Sequence, residues 1–301
     1  MRKGKAGGKA FLAFLIFIQG SIWGLSFLGT NIAVSRLAPI QVVTLRWTSA
    51  AAVFAVLALL GKVRLPRDWR GWKALLPVGL MQPCLYALFE AEGIRQTTTS
   101  ESAVIIGAIP VMTLVLGGVL RRKKSGWLTV AGILLPFLGI ACCTVLSPRF
   151  TVGGRLVGYL ELFVAVLAGA AFMNLSSRIG QQYGSAEITA AMSFLGCIFF
   201  NVLNLAMGYG LDTYRMGVEY PDAGLACLFL GVLCSSLCYL LMNYILSRIR
   251  NAAIASNLSN CWTTVVGVLS GILITGDPWG WYTGLGLVLV AVGMAMCAKE
   301  A

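Results

Sequence analysis

Long apolar runs alternate with short polar or charged stretches along the whole chain. Each run contains about the 20 apolar residues that an α-helix needs to cross a hydrocarbon core. Strands of a membrane barrel need only about ten residues of alternating polarity. The pattern therefore predicts an all-α integral membrane protein with ten transmembrane helices. The predicted spans are 11–32, 39–61, 74–94, 100–120, 126–147, 157–178, 188–208, 223–247, 252–275 and 279–298.

Composition agrees with this pattern. Of the 301 residues, 58% are hydrophobic and only 11% are charged, whereas about a quarter of the residues in a soluble domain are charged. The ten spans use most of the chain, so we expect no separate soluble domain.

The basic residues are distributed unevenly between the predicted loops. If the N-terminus is cytoplasmic, 17 of the 23 Lys and Arg residues fall in cytoplasmic segments and five in outer loops, and Arg46 lies inside the second span. Cytoplasmic loops of membrane proteins carry such an excess of Lys and Arg. We therefore expect both termini to be cytoplasmic and the protein to lie in the plasma (inner) membrane. The net charge of +12 then reflects topology, and nucleic acid is not an expected partner.

The sequence contains no pattern typical of a metal site or a hydrolase. There is no His, and all nine cysteines lie in predicted spans, where small apolar packing residues are common. The serines and cysteines have no evident base beside them, as a nucleophile would require. We expect no enzymatic activity, no cofactor and no metal.

The chain contains an internal repeat. “GWLTVAGILLPFLGIACC” (126–143) and “GWYTGLGLVLVAVGMAMC” (280–297) align without a gap at a shift of 154 residues. The agreeing pairs include Gly126/Gly280, Trp127/Trp281, Thr129/Thr283, Gly132/Gly286, Gly139/Gly293, Ala141/Ala295 and Cys143/Cys297. Residues 1–148 and 149–301 are therefore predicted to be two repeats of five helices each.

An odd number of helices in each repeat has a topological consequence. If the first repeat enters the membrane from the cytoplasm, the second enters from outside, so the two are inverted. Inverted repeats surround the central site of many secondary transporters. The first repeat also has Pro77 and Pro83 in its third helix, whereas the second has no proline within a span. This difference predicts a bend in the third helix and mechanically unequal halves.

Polar residues recur at helical spacing in several spans, so each set shares one face of its helix. Such faces turn away from lipid, towards either a cavity or a neighbouring helix. The residues that we predict to bind substrate are Gln19, Trp23, Gln82, Tyr86, Asn174, Tyr239, Asn243, Asn257 and Asn260. The resulting cavity would be rich in amides and aromatic rings and would suit small organic solutes, including zwitterions.

Arg46 lies in “VVTLRWTSAA” (42–51), within an otherwise uncharged run. An arginine at the centre of a bilayer costs from about 2.5 to more than 10 kcal/mol. Three alternatives would offset this cost. Arg46 pairs with Glu90 or Glu92 as a structural lock or gate, it binds a substrate carboxylate, or it extends to the outer headgroups. Glu90 itself is either part of a permanent ion pair or a carrier of protons.

Several segments resemble the drug/metabolite transporter superfamily, specifically its EamA-type branch with two five-helix repeats. The similar segments are “SIWGLSF”, “VVTLRW”, “LYALFEAEGIRQTTTSESAVIIGAIPVMTLVL”, “LGVLCSSLCYLLMNYILSRI” and “GLGLVLVAVG”. The resemblance covers nearly the whole chain. It implies a ten-helix inner-membrane carrier, which in many members exports amino acids or related metabolites, and it suggests that Arg46 is a family feature.

The first hypothesis is therefore a transporter that exports amino acids or similar small metabolites by alternating access. An alternative is uptake of a cationic metabolite such as a quaternary amine, with Trp23, Tyr86 and Trp262 as cation–π faces and Glu90 as the counter-charge. A non-transporting membrane scaffold is a third hypothesis. The expected partners are a small-molecule substrate and the lipid bilayer, and a homodimer is left open.

Overall fold

The computed structural model describes residues 2–66, 68–97, 104–121, 125–148, 152–153, 155–249, 251–275 and 279–300. Within these ranges the chain is helical and contains no strand. The apolar helices are α1 (Arg2–Val34), α2 (Pro39–Leu59), α3 (Trp69–Gln96), α4 (Ile109–Arg121), α5 (Trp127–Val145), α6 (Leu156–Ile179), α7 (Ser185–Ala206), α8 (Pro221–Arg248), α9 (Ala252–Thr275) and α10 (Trp281–Glu300). A short connecting helix, Asp212–Glu219, lies between α7 and α8.

The predicted spans correspond to these helices. Among the described residues, nine helices are long and apolar enough to cross a membrane, and a tenth apolar stretch, Val104–Leu120, is shorter. Residues 100–103 of the predicted fourth span lie outside the described part of the chain. The connecting helix was not expected, because its eight residues are too short and too polar to stand out in an apolar pattern.

Three of the long helices contain π-helical stretches: Leu80–Tyr86 in α3, Phe229–Leu237 in α8 and Gly271–Thr275 in α9. The stretch in α3 contains Pro83 and follows Pro77. Proline has no N–H to donate within a helix, so the local hydrogen-bond pattern must change. The stretch in α8 has no proline, yet it lies in the helix equivalent to α3. Equivalent helices of the two halves therefore both contain a π-helical stretch, although only α3 contains prolines.

Helices α5 and α10, which carry the sequence repeat, pack tightly along each other. A Cβ atom on Gly139 would come within 2.5 Å of the Gly286 carbonyl oxygen, and one on Gly132 would come within 2.9 Å of the Cys297 Sγ atom. Only glycine permits this approach of the two backbones. As α5 runs from Gly132 to Gly139, the contacts on α10 move from Cys297 back to Gly286. The two helices therefore run antiparallel.

Contacts between the other helices repeat when each helix is replaced by the one five positions away in the other half. α1 packs against α9 and α8, and α6 packs against α4 and α3, so each contact in one half has its counterpart in the other. In the α1–α9 pair, Gly20 faces Trp262 and Gly24 faces Val266, which makes these helices parallel.

Helices α2 and α7 pack against each other in the opposite sense. Thr44 is hydrogen-bonded to the carbonyl of Phe200, and Trp47, three residues further along α2, lies against Gly196. The contacts therefore move forward along α2 and backward along α7, so the two helices are antiparallel.

The connecting helix is held between α2 and α7 by side-chain hydrogen bonds. The Tyr214 hydroxyl donates to Asn201 Oδ1 at 2.6 Å and lies 3.1 Å from the Thr48 hydroxyl. Asn201 Nδ2 in turn donates to Thr48 Oγ1 at 3.0 Å, which closes a ring of three side chains. Gln41 Nε2 donates to the buried Thr213 hydroxyl at 3.3 Å. The connecting helix is therefore part of the packed structure.

Candidate functional site

Helices α3 and α8 are joined near their middle by one side-chain hydrogen bond. Gln82 Nε2 donates to the hydroxyl of Tyr239 at 2.5 Å, and both side chains are buried. On α3, Tyr86 and Glu90 follow Gln82 at steps of four residues, and on α8 Ser235 precedes Tyr239 by four. Arg46 on α2 contacts Ser235, and α2 also packs against the end of α3 that carries Glu90, so these side chains lie on the same side of the bond.

One wall of the site is formed by Ser235 on α8 and Arg46 on α2. Arg46 Nε donates to the Ser235 hydroxyl at 2.6 Å. The two helices approach closely because α8 has a glycine here, since a Cβ on Gly231 would lie 2.6 Å from the Arg46 carbonyl oxygen. The Arg46 guanidinium carbon also lies 5.8 Å from the ring centre of Trp47. The side chain of Arg46 is thus directed towards α8 and the protein interior.

The opposite wall is formed by Tyr86 and Glu90 on α3. The Tyr86 hydroxyl donates to Glu90 Oε1 at 2.6 Å. The Tyr86 ring lies against α6, where a Cβ on Gly169 would approach it to 3.3 Å. Glycine at this position leaves room for the ring beside the α6 backbone. Glu90 is thereby held by a neutral donor from its own helix.

Aromatic rings surround Tyr239 at the base of the site. The ring centres of Trp23, Trp47 and Phe172 lie 5.3, 5.8 and 6.0 Å from that of Tyr239. The Trp23 indole N–H donates to the carbonyl oxygen of Cys234 at 3.1 Å, which ties α1 to α8. Phe172 gave no sequence signal, because an apolar residue in an apolar helix is indistinguishable from a lipid-facing one.

We call the space between these walls the central cleft: Arg46 and Ser235 form one wall, Tyr86 and Glu90 the other, and the Gln82–Tyr239 bond forms the floor. Arg46, Tyr86, Glu90 and Trp23 are half-buried, whereas the floor residues are each only 5% exposed. Ser235 is fully buried, so the wall residues differ in exposure. The Gln82–Tyr239 bond closes the floor.

The expected ion pair between Arg46 and Glu90 is not formed in this conformation. Within the part of the chain that the structure describes, one ion pair lies within 4 Å, and it joins Arg36 to Asp222 at 3.8 Å near the starts of α2 and α8. Arg46 is bonded to Ser235, and Glu90 to Tyr86. The two charges still interact electrostatically, as they would on opposite walls of one cleft.

Glu92 lies at a different interface. Gln96 Nε2 donates both to Glu92 Oε1 at 3.3 Å and to Glu161 Oε2 at 2.8 Å. These side chains connect the end of α3 with α6. Two residues after Glu90 on a helix, Glu92 points about 200° away around the axis, given about 100° per residue. The structure therefore separates the two glutamates that the sequence grouped together.

Several predicted substrate-binding residues make hydrogen bonds between helices. Asn174 donates to the carbonyl oxygen of Thr113 on α4, and Asn257 to that of Gly132 on α5, each at 3.0 Å. Gln19 accepts a bond of 2.9 Å from the hydroxyl of Ser259 on α9. All three amide side chains are buried. They lie in the helix packing rather than in the walls of the cleft, and contact with a substrate stays a prediction for each of them.

Asn243 and Asn260 complete the predicted set. Asn243 is fully buried one turn beyond Tyr239, where it accepts from Ser176 at 2.5 Å and donates to Thr189 at 2.8 Å. Its hydrogen bonds therefore connect α8 with α6 and α7 beneath the floor of the cleft. Asn260 on α9 is half-buried, and its binding role also stays a prediction.

The model of the EamA-like transporter family matches residues 10–145 and 156–298. The chain is 29% identical to “Uncharacterized transporter YcxC” of Bacillus subtilis, over 95% of this chain and 91% of the relative. It is 24% identical to “Inner membrane protein YtfF” of Escherichia coli, over 94% of each. A solved chain titled “Crystal structure of protein” superposes with a TM-score of 0.76 at 16% identity, over 96% of this chain and 99% of that one.

Proposed function

This chain belongs to the EamA-like transporter family, and we propose that it exports amino acids or related small metabolites by alternating access of the central cleft. It is a multi-pass protein of the plasma (inner) membrane, and the relatives above are named as a transporter and an inner membrane protein. The observation that carries the proposal is the cleft itself. It bears a cation on one wall and an anion on the other and is closed at one end by the Gln82–Tyr239 bond.

Alternating access requires two states that exchange the open end of the cleft. We propose that residues 1–148 and 149–301 are inverted five-helix repeats, in which equivalent helices run in opposite directions. The antiparallel packing of α2 with α7 and of α5 with α10 supports this relation, because each pair joins a helix to its own equivalent. The matching contacts of α1 with α9 and of α6 with α4 support it further. Two such halves can rock about the cleft with little change within each.

We propose a direction for the cleft from the distribution of charge. With both termini in the cytoplasm, α3 ends and α2 begins at the outer surface, so the charged walls would lie on the outer side of the floor. In this proposal the floor bond and the Asn243 cluster close the inner side. The opposite state would break the Gln82–Tyr239 bond and bring the outer walls together, where Arg46 and Glu90 would be able to pair directly as a gate.

The experiment that tests the proposal is counterflow in liposomes that contain the purified chain. The liposomes are loaded in turn with amino acids, amines, nucleosides and organic anions, and entry of the labelled solute is measured against protein-free liposomes. We expect accumulation with amino acids. Efflux from preloaded cells, with and without expression of the chain, then reports direction. If no solute of the panel shows counterflow, the result would contradict a transport function and favour the scaffold hypothesis.

Uptake of a cationic metabolite is the second candidate function. The carboxylate of Glu90 beside Tyr86, Trp23 and Tyr239 would suit a cation. Trp262 does not extend this set, because its ring stacks on the exposed Phe17 at 5.0 Å and its N–H donates to Ser21. Accumulation of quaternary amines, without accumulation of amino acids, would favour this candidate over export of amino acids.

A further inference from the structure

The two charges of the central cleft are each held by a neutral partner and not by each other. A guanidinium has five N–H donors, and the Nε donor of Arg46 is used by Ser235. Among the described residues, the other N–H groups of Arg46 have no hydrogen-bond partner. They form a planar fork whose geometry matches a carboxylate. The fork is half-buried in a membrane helix, where an uncompensated charge is strongly unfavourable.

The opposite wall offers the complementary chemistry. Glu90 carries a negative charge when ionised and is held by the Tyr86 hydroxyl at 2.6 Å. The ring centre of Trp23 lies 5.3 Å from that of Tyr239 in the floor. A carboxylate beside aromatic faces favours an ammonium group, through charge and through cation–π attraction. An ammonium here and a carboxylate at Arg46 would satisfy both walls at once.

The floor bond joins α3 and α8, and Glu90 lies two helical turns from it along α3. Among the described residues, Arg46 and Glu90 form no ion pair within 4 Å, although the two charges interact electrostatically. A ligand that carries both charges would pair with Arg46 and Glu90 at once.

We propose that the central cleft recognises zwitterions at two points, with the ligand carboxylate on Arg46 and Ser235 and the ligand ammonium on Glu90 and Tyr86. This inference rests on the proposed transport function and names its substrate class and its specificity-determining residues. Each pair of side chains binds one charged group of the ligand. Loss of one pair should therefore remove the preference for ligands that carry that group and leave the other preference intact. A merely structural role would weaken binding of every ligand alike.

The test is ligand selectivity measured by thermal stabilisation and isothermal titration of the purified full chain. The twenty amino acids are screened first, since a ligand that binds the native state raises the melting midpoint. The best binder is then compared with its decarboxylated amine and its deaminated acid. We expect the amino acid to bind at least about tenfold more tightly than either analogue, because each lost headgroup removes a charge-assisted contact.

The variants assign each headgroup to its wall. Arg46→Gln should weaken binding of the amino acid about tenfold to a hundredfold and leave the affinity for the amine unchanged. Glu90→Gln should weaken binding of the amino acid to the same extent and leave the affinity for the deaminated acid unchanged. Arg36→Gln is the matched control, because Arg36 is exposed and pairs with Asp222 outside the cleft. If a charge variant does not fold, Ser235→Ala and Tyr86→Phe weaken the same two sites with the charges kept.

The results separate this inference from the proposed function. If both analogues bind as tightly as the amino acid, or if each variant weakens all three ligands equally, two-point recognition is wrong even where counterflow is active. If no amino acid binds but an amine or an organic anion is transported, the inference is also wrong, and the transport function stands.

Discussion

Gln82 on α3 and Tyr239 on α8 share a hydrogen bond of 2.5 Å that joins the two halves of the protein directly below a pair of opposed charges. The bond connects one residue of the first half with one of the second, so it belongs to neither half alone. In the proposed rocking of the halves about the cleft, this distance would change. The bond would then hold the conformation seen here as well as joining the two halves.

The first prediction concerns the strength of this bond. Tyr239→Phe and Gln82→Leu should each destabilise the chain, because each leaves a buried polar partner unsatisfied. The double variant should recover part of the loss and give a coupling energy of about 0.5–1.5 kcal/mol. Unfolding in SDS, followed by far-UV circular dichroism, measures the four free energies. Additive losses would show that the two side chains do not interact.

The second prediction concerns the approach of α2 to α8. Gly231→Ala places a Cβ within 2.6 Å of the Arg46 carbonyl oxygen and against the Ser49 hydroxyl, so α2 must move and carry Arg46 with it. We expect affinity for a bound amino acid to fall by about tenfold or more. Val232→Ala, at the neighbouring exposed position of the same helix, is the control. Unchanged affinity in Gly231→Ala would mean that the position of Arg46 is unimportant for binding.

The third prediction compares two glycines of α10. A Cβ on Gly286 would lie 2.6 Å from the Gly139 carbonyl oxygen and contact the Cys143 sulfur, whereas a Cβ on Gly284 meets no atom within 4 Å. Gly286→Ala should therefore cost about 1–3 kcal/mol through overpacking. Gly284→Ala should be neutral or stabilising, since alanine favours a helix more than glycine does. Melting midpoints in detergent measure both, and equal midpoints would contradict the close α5–α10 contact.

The fourth prediction concerns the connecting helix. Tyr214→Phe removes the hydroxyl that links Thr48 and Asn201, at a cost of about 1–2 kcal/mol for two partly buried hydrogen bonds. Tyr220→Phe keeps the ring that stacks on Arg36 and is the matched control. Hydrogen exchange of Asp212–Glu219 should speed up in the first variant and not in the second. Equal exchange would show that α2 and α7 do not hold this helix.

Much of the architecture followed from apolar length and helical spacing. The ten spans were recognisable because a membrane helix needs a long apolar run, and that requirement acts on each segment by itself. The polar pairs Gln82–Tyr86 and Tyr239–Asn243 were recognisable because residues four apart share a face whatever surrounds the helix. The connecting helix was missed, since its position depends on Tyr214 and Thr213 meeting side chains of other helices.

The partners of Arg46 and Glu90 were decided only by the tertiary structure. The sequence places Arg46 in the second predicted span and Glu90 near the end of the third, which made a direct pair reasonable. Depth along a helix does not specify rotation about its axis or the distance to the neighbouring helix. Close packing of α2 on α8 at Gly231 places Arg46 beside Ser235, and Glu90 is bonded to Tyr86 on its own helix. A sequence therefore determines which residues share a face, and only packing determines which faces meet.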